Sequence, residues 1–166
     1  MSEAQHLANA LTIYFNSDQL IAFAPFNEAT AGLTAAQAAH IPAEHFNSVW
    51  AIVNHVWFWN EVPLRMLRGE LIEPQHLGAA DWSGWPPIGD PRDDAAWQAA
   101  RQRCLDANAA FAAFVSTLDS AALEHEVAPG WGLAYGIIQG MISHNSYHTS
   151  EVICVRHMQG LWLERT

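Results

Sequence analysis

Apolar side chains recur at intervals of three and four along four long stretches of the chain, and the strict alternation of a strand is nearly absent. The first stretch is predicted as a helix from about Ser2 to Ala24. Ser2 and Gln5 suit a capping box at its start, and Pro25 ends it. A short helical turn is expected around Leu33 to His40, where Thr34 and Gln37 repeat the capping pattern. A second helix begins at Asn47 or Ser48 and carries the stripe Ile52, His55, Trp59, Val62 and Met66. Pro63 should kink or loosen it by removing a backbone donor, and Gly69 marks its stop. The segment from Glu70 to Gly89 reads as a loop rich in Gly, Pro and Trp.

Asp90-Pro91 opens the third predicted helix, with the stripe Trp97, Cys104, Phe111, Val115 and Leu118. Ala128-Pro129-Gly130 breaks the chain again. The fourth helix runs from about Leu133 to Met158, striped by Ile137, Met141, His144, His148, Glu151, Val155 and Met158. Four amphipathic helices of this length predict an all-α four-helix bundle, with the short extra turn between helices 1 and 2. A length of 166 residues suits one domain spanning 1–166.

Composition narrows the function classes. The charged fraction is only 14%, which suggests surface buried in tight packing or against a second subunit. The formal charge is −10 and all seven basic residues are arginine, so phosphate backbones and anionic membrane surfaces should repel the chain. No nucleic-acid or membrane partner is expected. The N-terminal Met1-Ser2-Glu3-Ala4-Gln5-His6 is unlike a secretory leader. Cys104 and Cys154 lack CxxC spacing and read as small core residues. Reduced thiols and a cytoplasmic location follow as expectations. Eight tryptophans imply bulky packing or an aromatic-lined cavity.

The chemistry lies in the histidines. His144 and His148 are one turn apart on the fourth helix's apolar stripe, a spacing that lets two imidazoles bind one metal. His55 occupies the same kind of position on the second helix. A buried imidazole has two nitrogens to satisfy, so three in phase with apolar stripes point to one divalent ion. The alternative is hydrogen-bonded core histidines with no metal. His157 lies about 180° from His148 around the helix. His6, His40, His45, His76 and His125 fall at helix starts or in loops, where local hydrogen bonds or solvent are expected.

The segment Asn47-Ser48-Val49-Trp50-Ala51-Ile52-Val53-Asn54-His55-Val56-Trp57-Phe58-Trp59 resembles a signature of the DinB-like (DinB/YfiT) superfamily. Met141-Ile142-Ser143-His144-Asn145-Ser146-Tyr147-His148 is similar to that family's C-terminal HxxxH. The resemblance implies a metal-binding four-helix bundle, often a homodimer, with His55, His144 and His148 as ligands. It also implies kinship with transferases and isomerases that use a low-molecular-weight thiol as cosubstrate. Many relatives follow the last histidine with Arg-Gly-Gln, where this chain has Thr149-Ser150-Glu151.

The expected function is that of a metal-dependent enzyme on a small molecule, of thiol-dependent transferase or hydrolase type. Zinc or nickel is the expected ion among those that imidazoles suit. The competing expectation is a non-catalytic, metal-stabilised helical dimer acting as a stress-related binding or interaction module. Glu151 and Glu61 are the candidate general bases, with a solvated charge near a bundle end slightly preferred for Glu151. Tyr147 and Asn54 neighbour ligands in sequence but point about 100° away, as packing or surface residues would. The Trp82 to Trp85 loop could wall the site, although plugging the bundle's open end is preferred.

Overall fold

The computed structural model describes residues 1–17 and 23–163. Among them, four long helices are α1 (Glu3–Ile13), α4 (Val49–Leu67), α5 (Asp94–Val115) and α7 (Ala134–Met158). Short helices α2 (Phe26–Ala29), α3 (Ala35–Ala39) and α6 (Ser120–Leu123) fill the connections, with a 3-10 turn at Pro74–Leu77. No strand is present among the described residues, only one isolated antiparallel bridge between Glu126 and Leu133. α4 packs on α5 and α7, and α1 packs on the same two helices, so the four close into a bundle.

Local chemistry sets the boundaries. The Ser2–Gln5 and Thr34–Gln37 capping boxes both form. Ser48 accepts from the Ala51 amide and starts α4, which fixes the phase of every later residue on that helix. α4 continues through Pro63 to Leu67, and Gly69, with φ 77°, lets the chain leave it. No helix among the described residues is long and apolar enough to cross a membrane.

Two predicted boundaries move. The first helix ends at Ile13, not Ala24, because Phe15 and Asn16 both hydrogen-bond back to the Thr12 carbonyl and turn the chain. Phe15 then stacks on Phe26 at 4.4 Å, and its carbonyl accepts from the Asn27 amide. Pro25 therefore opens α2 instead of closing α1, and residues 18–22 of the predicted helix lie outside the described residues. The third helix starts at Asp94 with Asp93 as its cap, since the Asp90 carboxylate is taken up by Arg92.

Burial on α4 goes nearly all the way round, from Val49 and Trp50 through Phe58 to Leu64. Trp50 meets Trp97 of α5 in the largest core cluster, while Leu7, Leu11, Phe111 and Ile138 form a second. On α7 the buried face carries Ile138, Met141, Asn145, His148, Val152 and Val155. Ile137 is only half-buried and Met158 is exposed, a small rotation from the predicted stripe. Cys104 is fully buried as expected, but Cys154 is exposed, since it lies on the outer side of α7.

Candidate metal centre

α4 and α7 are neighbours, and the cap at Ser48 turns His55 toward α7, where His144 and His148 face it. His55 and His148 are buried and His144 is half-buried. One nitrogen from each ring comes within 4.8 Å of the other two. The ring centroids are 4.5 Å apart for His144–His148, 4.7 Å for His55–His148 and 5.2 Å for His55–His144.

The outward nitrogens decide what the inward ones can do. His55 Nδ1 lies 2.8 Å from the Gly84 carbonyl, which can only accept, so this nitrogen carries the proton. His148 Nδ1 lies 2.7 Å from Glu151 Oε2 and donates to it in the same way. His144 Nδ1 makes a longer contact of 3.4 Å with Asn145 Oδ1. Burial, the leading cause, holds His55 and His144 down to about 4, and it also lowers His148. At neutral pH the three rings are therefore uncharged, and His55 and His148, protonated on Nδ1, carry lone pairs on Nε2.

His55 Nε2 and His144 Nε2 face each other at 3.2 Å. At that separation the two nitrogens are joined either by a proton on His144 Nε2 or by a cation between them. Nitrogens bound at about 2.0–2.1 Å to a tetrahedral ion are about 3.3 Å apart. The cluster thus has the donor type, spacing and protonation state to hold a divalent metal ion, and its outward hydrogen bonds match the usual support of metal-bound imidazoles.

The loop between α4 and α5 builds one wall. The indole of Trp85 stacks on His55 at 3.9 Å and 14°. Gly84 sits at φ +71°, and a Cβ there would meet Phe58 at 2.6 Å and Trp59 at 2.7 Å. Only glycine brings the carbonyl close enough to bond His55. Asn54 donates to the Pro87 carbonyl and accepts from Arg103, pinning the same loop to α4. Trp59 completes the wall, edge-on to His55 at 6.5 Å and His144 at 6.4 Å. The loop is a wall of the site, not a plug at the end of the bundle.

The other candidates divide. Glu151 does not stand free in solvent: one oxygen takes the His148 proton and the other accepts from Asn47 Nδ2 at 3.4 Å. Glu61 pairs with Arg65 at 2.9 Å and lines a shallow cleft against α5 with Gln102, Arg103 and Asp106. Tyr147 is exposed, its ring edge-on to His148. His157 stacks on Trp162, away from the cluster. Sequence reasoning missed Gly84 and Trp85 as partners of His55. It also missed a buried amide set in which Asn108 and Asn145 both donate to Asn60 Oδ1, while Asn60 donates to Asn145 Oδ1. The visible signals were a glycine between two tryptophans and asparagines in apolar helix faces.

No curated protein and no solved structure matches the chain at a significant level. The family model of the DinB superfamily matches residues 22–152, a span that takes in all three histidines, the loop carrying Gly84 and Trp85, and Glu151. With that match over most of its length, a helical bundle and a three-histidine cluster between α4 and α7, the chain belongs to the DinB superfamily.

Proposed function

We propose that this chain is a divalent-metal-dependent enzyme acting on a small molecule, of the thiol-dependent transferase or hydrolase type, with His55, His144 and His148 as the ligands. The observation that carries this reading is the convergence of three neutral imidazoles, two of which, His55 and His148, direct their Nδ1 protons outward and so leave Nε2 lone pairs for an ion. Among the described residues no fourth side chain joins the cluster, which favours coordination positions open to a ligand. Zinc or nickel suits the donor set. Such an ion supplies Lewis acidity and favours the deprotonated form of a thiol or water near neutral pH.

The chain's own residues have separable tasks. Gly84 and Glu151 fix the tautomers of His55 and His148, and Trp85 shields one face of His55 from water. Glu151 Oε2 is engaged with His148 Nδ1, which makes Glu151 a positioning residue in this reading. The outer side of α7 supports a homodimer: from Ala134 to Ser150 the helix has no charged residue, although the chain as a whole carries −10.

The test is elemental analysis of untagged protein beside a His148→Ala variant. About one equivalent of a divalent ion per chain, lost in the variant, is expected. No ion in the wild type after zinc and nickel are offered would reduce the cluster to buried polar packing and end the enzyme reading.

A further inference from the structure

Three asparagines are buried inside the bundle, Asn60 on α4, Asn108 on α5 and Asn145 on α7, and their amides meet. A buried amide must spend its hydrogens and lone pairs on partners, so the bonds around it fix which end points where. The order is set from Val56. Its carbonyl can only accept, and it takes a hydrogen from Asn60 Nδ2 at 2.7 Å. Asn60 Oδ1 therefore points the other way, where it accepts from Asn108 Nδ2 and Asn145 Nδ2, each at 3.2 Å. The second hydrogen of Asn60 Nδ2 goes to Asn145 Oδ1, also at 3.2 Å. Asn60 is then fully bonded, and turning the Asn145 amide over would break both of its bonds to Asn60. The Asn145 atom beside His144 is thus an oxygen, an acceptor only, 3.4 Å from Nδ1.

His144 meets a second acceptor at its other nitrogen. His55 gives its Nδ1 proton to the Gly84 carbonyl, so its Nε2, 3.2 Å from His144 Nε2, holds a lone pair. A neutral imidazole has one proton to offer the two. On Nε2 it would leave the Nδ1 lone pair against an oxygen that the amides do not let turn away. On Nδ1 it satisfies that oxygen and leaves Nε2, beside His55 Nε2, for a cation. We infer that Asn60 and Asn145 are positioning residues that keep the His144 proton on Nδ1 and so commit Nε2 to the divalent ion. Their role toward an ion rests on the metal-centre reading, whereas the place of the proton does not.

Long-range proton–nitrogen NMR of isotope-labelled protein, at neutral pH and freed of metal by a chelator, reads which ring nitrogen of His144 is protonated. His144→Ala assigns the signal. Nδ1 is expected in the wild type, and Nε2 there overturns the proposal. In Asn145→Leu and Asn60→Leu the proton should move to Nε2. Zinc affinity in both, by competition with a chromophoric chelator, should fall about 10- to 100-fold. Asn108→Leu removes an equally buried amide but leaves the Asn60–Asn145 pair intact, so it should cost stability and change neither reading. A proton that stays on Nδ1 in Asn145→Leu and Asn60→Leu overturns the proposal. Equal losses of zinc in all three variants do so too, by reducing the amides to core packing. If the variants do not fold, the wild-type spectrum still decides. Failure of the metal reading looks different: an Nδ1 proton in protein that takes up no zinc upholds the amide assignment and ends the enzyme reading. An Nε2 proton in protein that binds zinc does the opposite.

Discussion

Arg156 and His148 lie on the same buried face of α7, about two turns apart, and both take polar atoms out of water. Their surroundings differ in kind. Arg156 Nη1 donates to the Ala29 and Ala31 carbonyls at 2.8 and 2.7 Å, and Nε donates to Leu161 at 3.2 Å. Its neighbour Arg101 bonds the Asn27 carbonyl and the Thr30 hydroxyl of the same turn. These guanidinium donors satisfy carbonyls that the end of α2 leaves orphaned. Among the histidines the outward nitrogens are satisfied in the same manner, but the inward nitrogens of His55 and His144 face each other at 3.2 Å, with His148 beside them. Buried polarity alone therefore does not mark a binding site. Ligand nitrogens converging from three rings do.

Exchanging the roles by mutation gives the largest expected effect. Arg156→Met keeps the apolar stem but strands three carbonyls, a cost of about 3 kcal/mol. The melting temperature of the metal-free protein should drop by about 6–12 °C for a chain of this size. Metal stoichiometry should be unchanged. His148→Ala should do the reverse, abolishing the bound ion while moving the metal-free melting temperature by a few degrees or less. Scanning calorimetry with elemental analysis of both variants reads the contrast. An Arg156→Met protein that melts normally but has lost its metal would break it.

The histidine cluster was legible in the sequence because helical period is local information: His144 and His148 share a face by spacing, and His55 interrupts an apolar stripe. Glu151 was legible too, since i and i+3 residues are neighbours, yet reading it as a solvated charge near a bundle end hid its contact with His148. Gly84 and Trp85 were not legible as partners of His55. They lie about thirty residues beyond it in a loop with no period, and only the turn at positive φ brings them back. The same reason explains the end of α1, where a tertiary contact between Phe15 and Phe26 overrides a sequence that reads as more helix. Asn60 and Asn145 sit in apolar faces as His55 does, and nothing in their spacing tells a mutual hydrogen bond from a ligand.

A smaller effect sharpens the comparison within the cluster itself. Two of the three outward partners are neutral, the Gly84 carbonyl and the Asn145 amide, whereas Glu151 is an anion. Glu151→Gln keeps an acceptor at the same place and removes the charge that strengthens His148 as a donor. Metal affinity should weaken about 10- to 100-fold. Competition with a chromophoric chelator would measure this, with the metal-free melting temperature as control. Equal affinity in the two proteins would mean that Glu151 matters for geometry alone, and a large fall in melting temperature would move it to the structural side with Arg156.

The smallest effect is a slope. In the metal-free protein, burial above all holds His55 and His144 at about 4, well below their ordinary value of 6.5. Between those values the unfolded chain binds protons that the folded chain refuses. Stability should therefore be full above 6.5, fall as pH drops toward about 4, and level off below it. Each ring contributes at most about 1.4 kcal/mol per pH unit, and His144 less because it is partly exposed. Arg156 stays charged throughout, so its clamp adds a constant and no slope. Urea unfolding in the presence of a chelator, repeated across that window, separates the two. His55→Leu should make the curve shallower, leaving the His144 share, and Arg156→Met should lower it in parallel. A wild-type curve already flat there would mean that the folded rings take up protons as readily as the unfolded ones. The lone pairs would then be spent on protons at mildly acidic pH, and the contrast with the arginine clamp would disappear.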